Sequence, residues 1–535
     1  MNDLLRRKAR SSGRITIAVA MTSGFIALSY EILWYRAFAF VSRGLPTVFG
    51  LLLAFYLLGI AIGADVSRKY CKDSSEGSNE RRLRVIAAFM GVASAASFCV
   101  IPLLAQLATL QLHLPSLPLV PAWTLAFVAV AVAAAMMGAV LPLVAHFGID
   151  ADDRAGQKLG YVYLANIIGS TLGSLLTGFV LMEMASTRTI SFGLASAGFS
   201  MSFLLLLASE PTNGTLAFGW ISALACVAAS GLCSKPLFNQ LYEKLLFKDK
   251  FTRDTHLVHV LENRHGVITV DKDTLIYGGG AYDGAFNVSL LDDKNRVERA
   301  LAVAVLHPHP KEMLMIGLSS GSWAQELVNL QGLDHLTIVE IDPGYLELIP
   351  QYPEVASLLK NPKVTIVIDD GRRWLLRHPD RKFDVIVMNT TWHWRAHVTN
   401  LLSREFMQIA REHLLPGGLH YFNTTSSANV QRTACLVFPY AVRFENFMAV
   451  SDSPITFDRD IYKEVLRNAQ VDGKPQLDLT RESDQKVMDG LLSVIDASPK
   501  QWASMESRDA ILARTQGARE VTDDNMACEW EPNDD

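Results

Sequence analysis

Three groups of residues between Gly317 and Arg395 have the types and spacing that chemistry needs. Gly317-Leu-Ser-Ser-Gly321 is a small, flexible turn with Ser319 and Ser320 between its glycines. Acids follow at Glu340 and Asp342, with Ile341 between them, and again at Asp370, just before Gly371. Glycines let a backbone approach a ligand closely, and an acid about 20 residues further on receives ribose hydroxyls. The interval from Gly317 to Glu340 fits, so this set reads as an adenosine-binding unit. The third group is Asn389 followed by Trp392-His-Trp-Arg395. Indole faces attract cations, so Trp392 or Trp394 would hold a cationic centre. His393 or His397 would serve as a base near neutral pH, and Arg395 would pair with a carboxylate. The competing reading has the tryptophans packing the loop, with His393 and Arg395 solvated.

These residues need a sheet to hold them. Glu312-Met-Leu-Met-Ile-Gly317 is a short apolar run ending in glycine, as expected of a buried parallel strand. An amphipathic stretch from Trp323 to Leu330 follows, then a second apolar run from Leu336 to Asp342. Val364–Ile368, Phe383–Met388 and Leu419–Phe422 supply three more strands, and Pro416-Gly-Gly418 stops the helix before the last. Five such units imply a doubly wound, Rossmann-like α/β sheet with ligand at the strands' C-terminal ends, where Glu340, Asp370 and Asn389 fall. Upstream, His256 to Leu291 alternates apolar and polar residues between turn signals at Asn263, Gly266 and Gly278-Gly-Gly280, predicting small antiparallel hairpins. Residues after Ser451 are polar and helix-prone.

The first half of the chain is of another kind. Of 535 residues half are apolar, and the excess lies before Cys233. Apolar stretches at Ile15–Val41, Pro46–Val66, Val85–Leu112, Val120–Phe147, Leu159–Met182, Ile190–Ala208 and Thr215–Cys233 are each near the roughly 20 residues a membrane span requires. The expected organisation is therefore a helical membrane bundle at 1–233, an amphipathic connector at the membrane surface at 234–254, a small β-hairpin domain at 255–295, the Rossmann-like domain at 296–450 and a helical extension at 451–535. Gly169, Gly173 and Gly178 along one span suit close helix packing in lipid. Glu31 and Arg36 lie inside the first span, and charge there is costly. Each should face a partner, as an anchor to another element or as part of a substrate passage. About 140° of helical rotation separates the two, so they are not automatically partners of each other.

Basic residues at the N-terminus (Arg6, Arg7, Lys8) and between Arg68 and Arg84 belong on the cytoplasmic side of a bacterial-type inner membrane. Seven spans would then place the second half outside, whereas an adenosine site places it in the cytoplasm. A net charge of −5, with no basic cluster beside the nucleotide unit, argues against nucleic acid as a partner. Six scattered cysteines without a CxxC suggest neither zinc nor a disulfide framework, and no metal is expected.

With these residues in view, the second half resembles the spermidine synthase (polyamine aminopropyltransferase) family, which has a small β domain followed by a class I methyltransferase-like sheet. The resemblance rests on His307-Pro-His-Pro-Lys311, Gly317-Leu-Ser-Ser-Gly-Ser322, Val339-Glu-Ile-Asp342, Asp369-Asp-Gly371 and Leu415-Pro-Gly-Gly418. The first span, Ser23 to Arg36, looks like that of bacterial proteins fusing a membrane bundle to this domain. By this resemblance Glu340 would hold the ribose diol and Asp370 the adenine amino group, while Gly317 to Ser322 would line the methionine-derived part. The ligand would be S-adenosylmethionine, its decarboxylated form, or the product 5'-methylthioadenosine. Tyr277, Tyr282, Asp283 and Trp394 would face the substrate, a small molecule, and a homodimer would be in keeping with relatives.

Two departures from the family matter. Ser320 stands where the family's glycine loop carries an aspartate, and Asn389-Thr-Thr-Trp392 replaces the Asp-x-x-Asp that grips the attacking amine. An amine is mostly protonated at neutral pH, so its attack needs a base or a desolvating pocket. An arginine opposite the ligand suits a substrate that keeps its own carboxylate, as intact S-adenosylmethionine does. That carboxylate could itself displace methylthioadenosine, giving a lactone without a protein base. Three functions stay open at this point: chain transfer to an acceptor, a lyase or cyclase acting on S-adenosylmethionine alone, and nucleotide sensing or transport without chemistry. The fold also permits methyl transfer.

Overall fold

The computed structural model describes residues 2–72, 79–110, 121–149, 152–209, 227–389, 392–496 and 505–531. The chain divides into two compact units, one of Met1–Ser42 with Thr47–Val267 and the other of Arg43–Pro46 with Ile268–Asp535.

In the first unit, α1 (Asn2–Val41), α2 (Thr47–Lys72), α3 (Asn79–Ala108), α4 (Ala126–Gly148), α5 (Ala155–Leu176) and α6 (Thr187–Ala208) are the principal helices. Among the described residues, these supply six stretches long and apolar enough to cross a membrane, matching the first six expected from the sequence. Most of the seventh, Thr215–Cys233, lies outside the described residues, and the chain is next described as a helix over 227–237.

Backbones pack closely where the side chains vanish. A Cβ on Gly169 would fall 1.9 Å from the Met21 carbonyl oxygen, and one on Gly173 would fall 2.4 Å from that of Phe25. Helices α1 and α5 therefore touch main chain to main chain there, the arrangement that small residues permit in lipid. Gly178 is different, since its Cβ would meet only Ile32 Cδ1, at 3.9 Å. At the same contact the Thr177 hydroxyl donates to Ser29 Oγ at 2.9 Å, and α5 continues into a π turn over Thr177–Leu181.

The buried arginine of α1 has its partner outside its own helix. Arg36 stands 3.7 Å from Glu262, and also donates to the Gly266 and Asn263 carbonyls. Glu262 in turn accepts from the Thr187 backbone N–H and the Tyr242 hydroxyl, each at 2.8 Å. Anchoring is the role this geometry gives Arg36. Tyr242 belongs to a short helix, Leu241–Phe247, inside the segment expected to lie on the membrane surface. Leu241, Tyr242 and Leu245 are instead buried in the bundle core, with Tyr242 edge-to-face on Phe40 at 5.0 Å. Its polar tip, bonded to Glu262, makes that burial affordable.

The second unit is built on two sheets. Strand β1 (Leu257–Glu262) falls in the first unit, whereas β2 (Val267–Asp271), β3 (Leu275–Gly278) and β4 (Ala281–Ala285) pair antiparallel as hairpins. The larger sheet takes β5 (Glu312–Ile316), β6 (His335–Glu340), β7 (Val364–Ile368), β8 (Phe383–Met388), β9 (Leu414–Asn423), β10 (Tyr440–Phe444) and β11 (Phe447–Ser451). A two-residue hairpin, β12 (Gln470–Val471) with β13 (Lys474–Pro475), stands apart from it, and β14 (Met505–Ser507) completes it. The order is β14-β10-β11-β9-β8-β5-β6-β7, with β5 to β9 all parallel. Strands β10, β11 and β14 add an antiparallel edge, so the segment after Ser451 returns a strand to the sheet as well as supplying helices.

From β5 the chain winds through β6 and β7 in one direction, then returns to place β8 on the other side of β5. The turns after β5 and β8 thus diverge at a topological switch point, where ligands of open α/β sheets bind. The two chemistry-bearing loops are those turns.

Gly169→Val tests the α1–α5 contact. Forcing methyl groups into closed packing costs about 1–3 kcal/mol, so the variant should lose thermal stability in detergent, while Gly178→Val should melt close to the parent. Equal melting of the two variants would contradict the packing described.

Candidate active site

The glycine turn is held by an acid. Glu340, at the tip of β6, is buried to 4% exposure and accepts the Leu318 N–H at 2.6 Å and the Ser319 N–H at 3.4 Å on one oxygen. Its other oxygen accepts the Asp342 N–H at 2.8 Å. Burial pushes its pKa up to about 7, opposed by those backbone donors. Gly317 and Gly321 both take left-handed backbone, with φ of +88° and +78°. Ser319 joins them at φ +48°, a conformation that costs an L-residue energy and needs such anchoring. Gly321 opens helix α7 (Ser322–Val328). The Ser320 hydroxyl faces inward, accepting from Asn295 Nδ2 at 3.3 Å and donating to Ser322 Oγ at 2.9 Å.

The β hairpin then brings in an acid of its own. Ser319 Oγ donates to the Asp283 carbonyl oxygen, and the Asp283 carboxylate accepts from the Tyr345 hydroxyl. Burial raises the Asp283 pKa, with Tyr345, Arg395 and the Ser319 hydroxyl holding it down. Arg395 responds in the opposite sense: desolvation lowers its pKa, and Asp283 and Tyr345 raise it. These groups converge on two consecutive glycines. A Cβ on Gly278 would stand 2.9 Å from Tyr345 Oη and 3.2 Å from Asp283 Oδ2, and one on Gly279 would stand 2.8 Å from an Arg395 nitrogen. The segment Arg43–Pro46, which clusters with this unit, also reaches Arg395: the Ala396 N–H donates to Gly44 O at 2.8 Å, and a Cβ on Gly44 would be 2.9 Å from Arg395 Nε.

Other expected residues have different surroundings. Asp370 caps helix α8 (Gly371–Arg377) by accepting the Arg373 N–H at 2.8 Å, and Gly371 leaves no room for a side chain beside Ile316. Asp342 accepts the Gly344 N–H at 2.9 Å, and Ile341 is 54% exposed on the same edge. Asn389 accepts from Asn423 Nδ2 at 3.1 Å, the first link of a chain that runs from Asn423 to Asn446 to Arg299. Trp392 and Trp394 stack with centroids 6.1 Å apart. His393, however, turns towards the C-terminal segment: its backbone and Nδ1 meet the Thr425 hydroxyl, and Nε2 lies 4.0 Å from Glu531. His397 is exposed at φ +70°. Tyr277 and Tyr282 lie edge to face at 6.4 Å. Their hydroxyls donate to Asp271 (3.4 Å) and to the Lys294 carbonyl (2.9 Å), and burial pushes both pKa values to about 12.

The structure thus gathers Glu340, Ser319, Asp283 and Arg395 and leaves His393 facing elsewhere. Tyr345, Gly44 and the Asn423–Asn446–Arg299 chain were missed by reasoning from sequence, because none belongs to a motif. Among the described residues, no group of three or more His, Cys, Asp or Glu side chains is arranged to hold a metal ion.

Residues 300–437, from the helical turns before β5 to the end of the helix after β9, match the spermine/spermidine synthase domain. The second unit carries a spermidine synthase domain. A polyamine aminopropyltransferase of Desulforudis audaxviator is 29% identical to the chain over 179 residues, covering 32% of this chain and 64% of the relative. One from Oceanobacillus iheyensis is 21% identical over 441 residues, covering 79% of this chain and 80% of the relative. The spermidine synthase structure from Thermotoga maritima aligns with a TM-score of 0.34 at 17% identity, covering 45% of this chain and 84% of that one. For the first of these relatives, the chain spans a little under two thirds of the length.

Burial of acids gives the synthase domain a stability that depends on pH. Glu340 is held at about 7 and Glu298 and Glu326 at about 8, all from a usual 4.5. A raised acid contributes fully below its unfolded value, and that contribution is lost as pH climbs through the folded one. The thermal midpoint of the ligand-free protein should therefore fall as pH rises from about 4.5 to 8. Glu340→Gln should flatten that fall by the equivalent of about 3 kcal/mol, measured by calorimetry across the range. An unchanged slope would show that Glu340 does not titrate as its burial requires.

Proposed function

We propose that the chain is a membrane-tethered transferase of the aminopropyltransferase type. It binds S-adenosylmethionine or its decarboxylated form, moves the carbon chain attached to sulfur, and releases 5'-methylthioadenosine. One observation carries the reading: a buried carboxylate at the tip of β6 holds a left-handed glycine turn at the switch point of a synthase-type sheet. Both Glu340 oxygens accept backbone N–H groups, and the one bonded to the Asp342 N–H retains a further lone pair for a ribose hydroxyl. Ile341 offers an exposed apolar face for the base beside it.

The chemistry is displacement at carbon. A nucleophile bonds to the carbon next to the sulfonium, the carbon–sulfur bond breaks, and its electron pair stays on sulfur as a neutral thioether. Positive charge is lost as the bond breaks, so the domain's task is to position the two reactants and exclude water. The stacked indoles of Trp392 and Trp394 would bear the sulfonium charge before it is lost. The amide of Asn389, held by Asn423, accepts and donates hydrogen bonds but takes no proton. That favours a second reading, in which the donor's own carboxylate is the nucleophile and the products are methylthioadenosine and a lactone. Methyl transfer and nucleotide sensing without chemistry have no comparable support.

An adenosine site favours the cytoplasmic side of the inner membrane, and that is where we place the second unit; the six stretches found among the described residues would return the chain to the side of its basic lead.

Purified full-length protein incubated with S-adenosylmethionine, or with the decarboxylated donor, should release methylthioadenosine detectable by mass spectrometry. Release only with an added amine supports transfer, and release without one supports the lactone route. S-adenosylhomocysteine would instead mean methyl transfer, and no product from either donor would overturn the enzymatic reading.

A further inference from the structure

We propose that Asp283, Tyr345 and Arg395 form a receptor for the head group of an α-amino acid, so that the donor is S-adenosylmethionine with its carboxylate in place. This rests on the reading of the domain as a sulfonium-nucleoside site and names the donor which that reading leaves open.

The argument starts from what a decarboxylated donor would need. Its chain ends in an ammonium alone, and an ammonium is best received by carboxylates with no other cation nearby. At the two positions where the spermidine synthase resemblance would place acids, this chain has Ser320 and the run from Asn389 to Trp392. Beside Glu340, the acid that reaches the glycine turn is Asp283, which comes from another element and comes with a guanidinium. The Cβ positions of Gly278 and Gly279, neighbours in the chain, lie within about 3 Å of the Asp283 carboxylate and Tyr345 hydroxyl on one side and of Arg395 on the other. An anion receptor and a cation receptor a few ångströms apart match a group carrying ammonium and carboxylate on one carbon. They mismatch a group carrying ammonium alone, which Arg395 would repel.

The fold invests in keeping this pair in place. Gly279 and Gly44 both have left-handed backbone, at φ +57° and +86°, and a side chain on either would collide with Arg395, which packs against both backbones. The Gly44 carbonyl also fixes the start of the segment after Arg395 through the Ala396 N–H. Tyr345 holds Asp283 by its hydroxyl, and Ser319 ties the Asp283 backbone to the turn that Glu340 anchors. The head-group receptor and the ribose receptor therefore share one scaffold, the glycine turn. Burial raises the Asp283 pKa against the pull of Arg395 and Tyr345, and a bound ammonium would favour the ionised form further.

Binding to full-length protein in detergent, measured by calorimetry with methylthioadenosine, S-adenosylmethionine and decarboxylated S-adenosylmethionine, tests the proposal. Methylthioadenosine has no head group and reports the nucleoside site alone. The expected result is that it binds, and that S-adenosylmethionine binds at least about tenfold more tightly than the decarboxylated form. Arg395→Gln should bring that ratio close to one while methylthioadenosine keeps its affinity. Asp283→Asn should weaken both donors relative to methylthioadenosine. If methylthioadenosine does not bind the wild-type protein, the nucleoside reading itself fails. If it binds and the decarboxylated form matches or exceeds S-adenosylmethionine, the head-group receptor is overturned with the nucleoside site intact. The wild-type ratio decides the matter even if a variant does not fold.

Discussion

The contact on which the second unit depends is the carboxylate of Glu340 against the backbone of the turn after β5. A buried carboxylate is costly to desolvate, and the Leu318 and Asp342 N–H donors, charge-assisted bonds worth about 1.5–3 kcal/mol each, offset part of that cost, with the longer Ser319 contact beside them. In return the turn is fixed in a conformation it would not keep unaided, because Ser319 is not a glycine and still takes a positive φ. The consequences spread outward. Ser319 holds the backbone of Asp283, Asp283 holds Tyr345, and Arg395 lies in the field of both. One desolvated acid thereby sets the geometry of a site drawn from three separate stretches of chain.

Around that anchor the electrostatics are mixed in sign. The turn after β8 presents an amide, and the chain of side chains behind it, Asn423, Asn446 and Arg299, ends in a buried group of charges. There Glu445 is wholly buried between Arg296 and Arg299, with Glu298 beside them. Buried charges of this kind are tolerated only when paired and hydrogen-bonded. These charges pair among themselves, and Asn389 meets a polar, uncharged partner in Asn423. Glu340, Asp283 and Asp342 around the glycine turn and the Arg395 guanidinium then set the local field.

The first unit solves a different problem. Its helices are long and apolar enough to cross a membrane, and in lipid such helices would gain nothing from hiding apolar surface, leaving close approach of backbones and a few polar contacts to specify their arrangement. Gly169 and Gly173 supply the approach between α1 and α5, and the Ser29 and Thr177 hydroxyls supply the bond. Arg36 would be prohibitive without Glu262, and Glu262 is itself fixed by Thr187 and Tyr242. The short helix that carries Tyr242 is drawn into the core by this bond, which is why amphipathicity alone suggested a surface position.

The chain's order already contained the strands, the helices and the switch point. Short apolar runs ending in glycine or acid, at intervals too short for anything but strand–turn–helix units, leave few alternatives to a parallel sheet. Glu340 was equally legible, since a glycine turn and an acid at that spacing are a local pattern. The hairpin's Asp283 was legible only as one acid among several, and Tyr345 and Gly44 were not legible at all. Their partners lie tens or hundreds of residues away, and no local spacing encodes which side chains a fold will bring within 3 Å. His393 shows the converse, because its residue type suited a base while the fold aimed it at Thr425 and Glu531. Residue type and period thus determined which elements form and which one acid anchors them. Long-range packing alone decided which charges face each other across the site, because that depends on loop directions set by contacts the sequence does not place side by side.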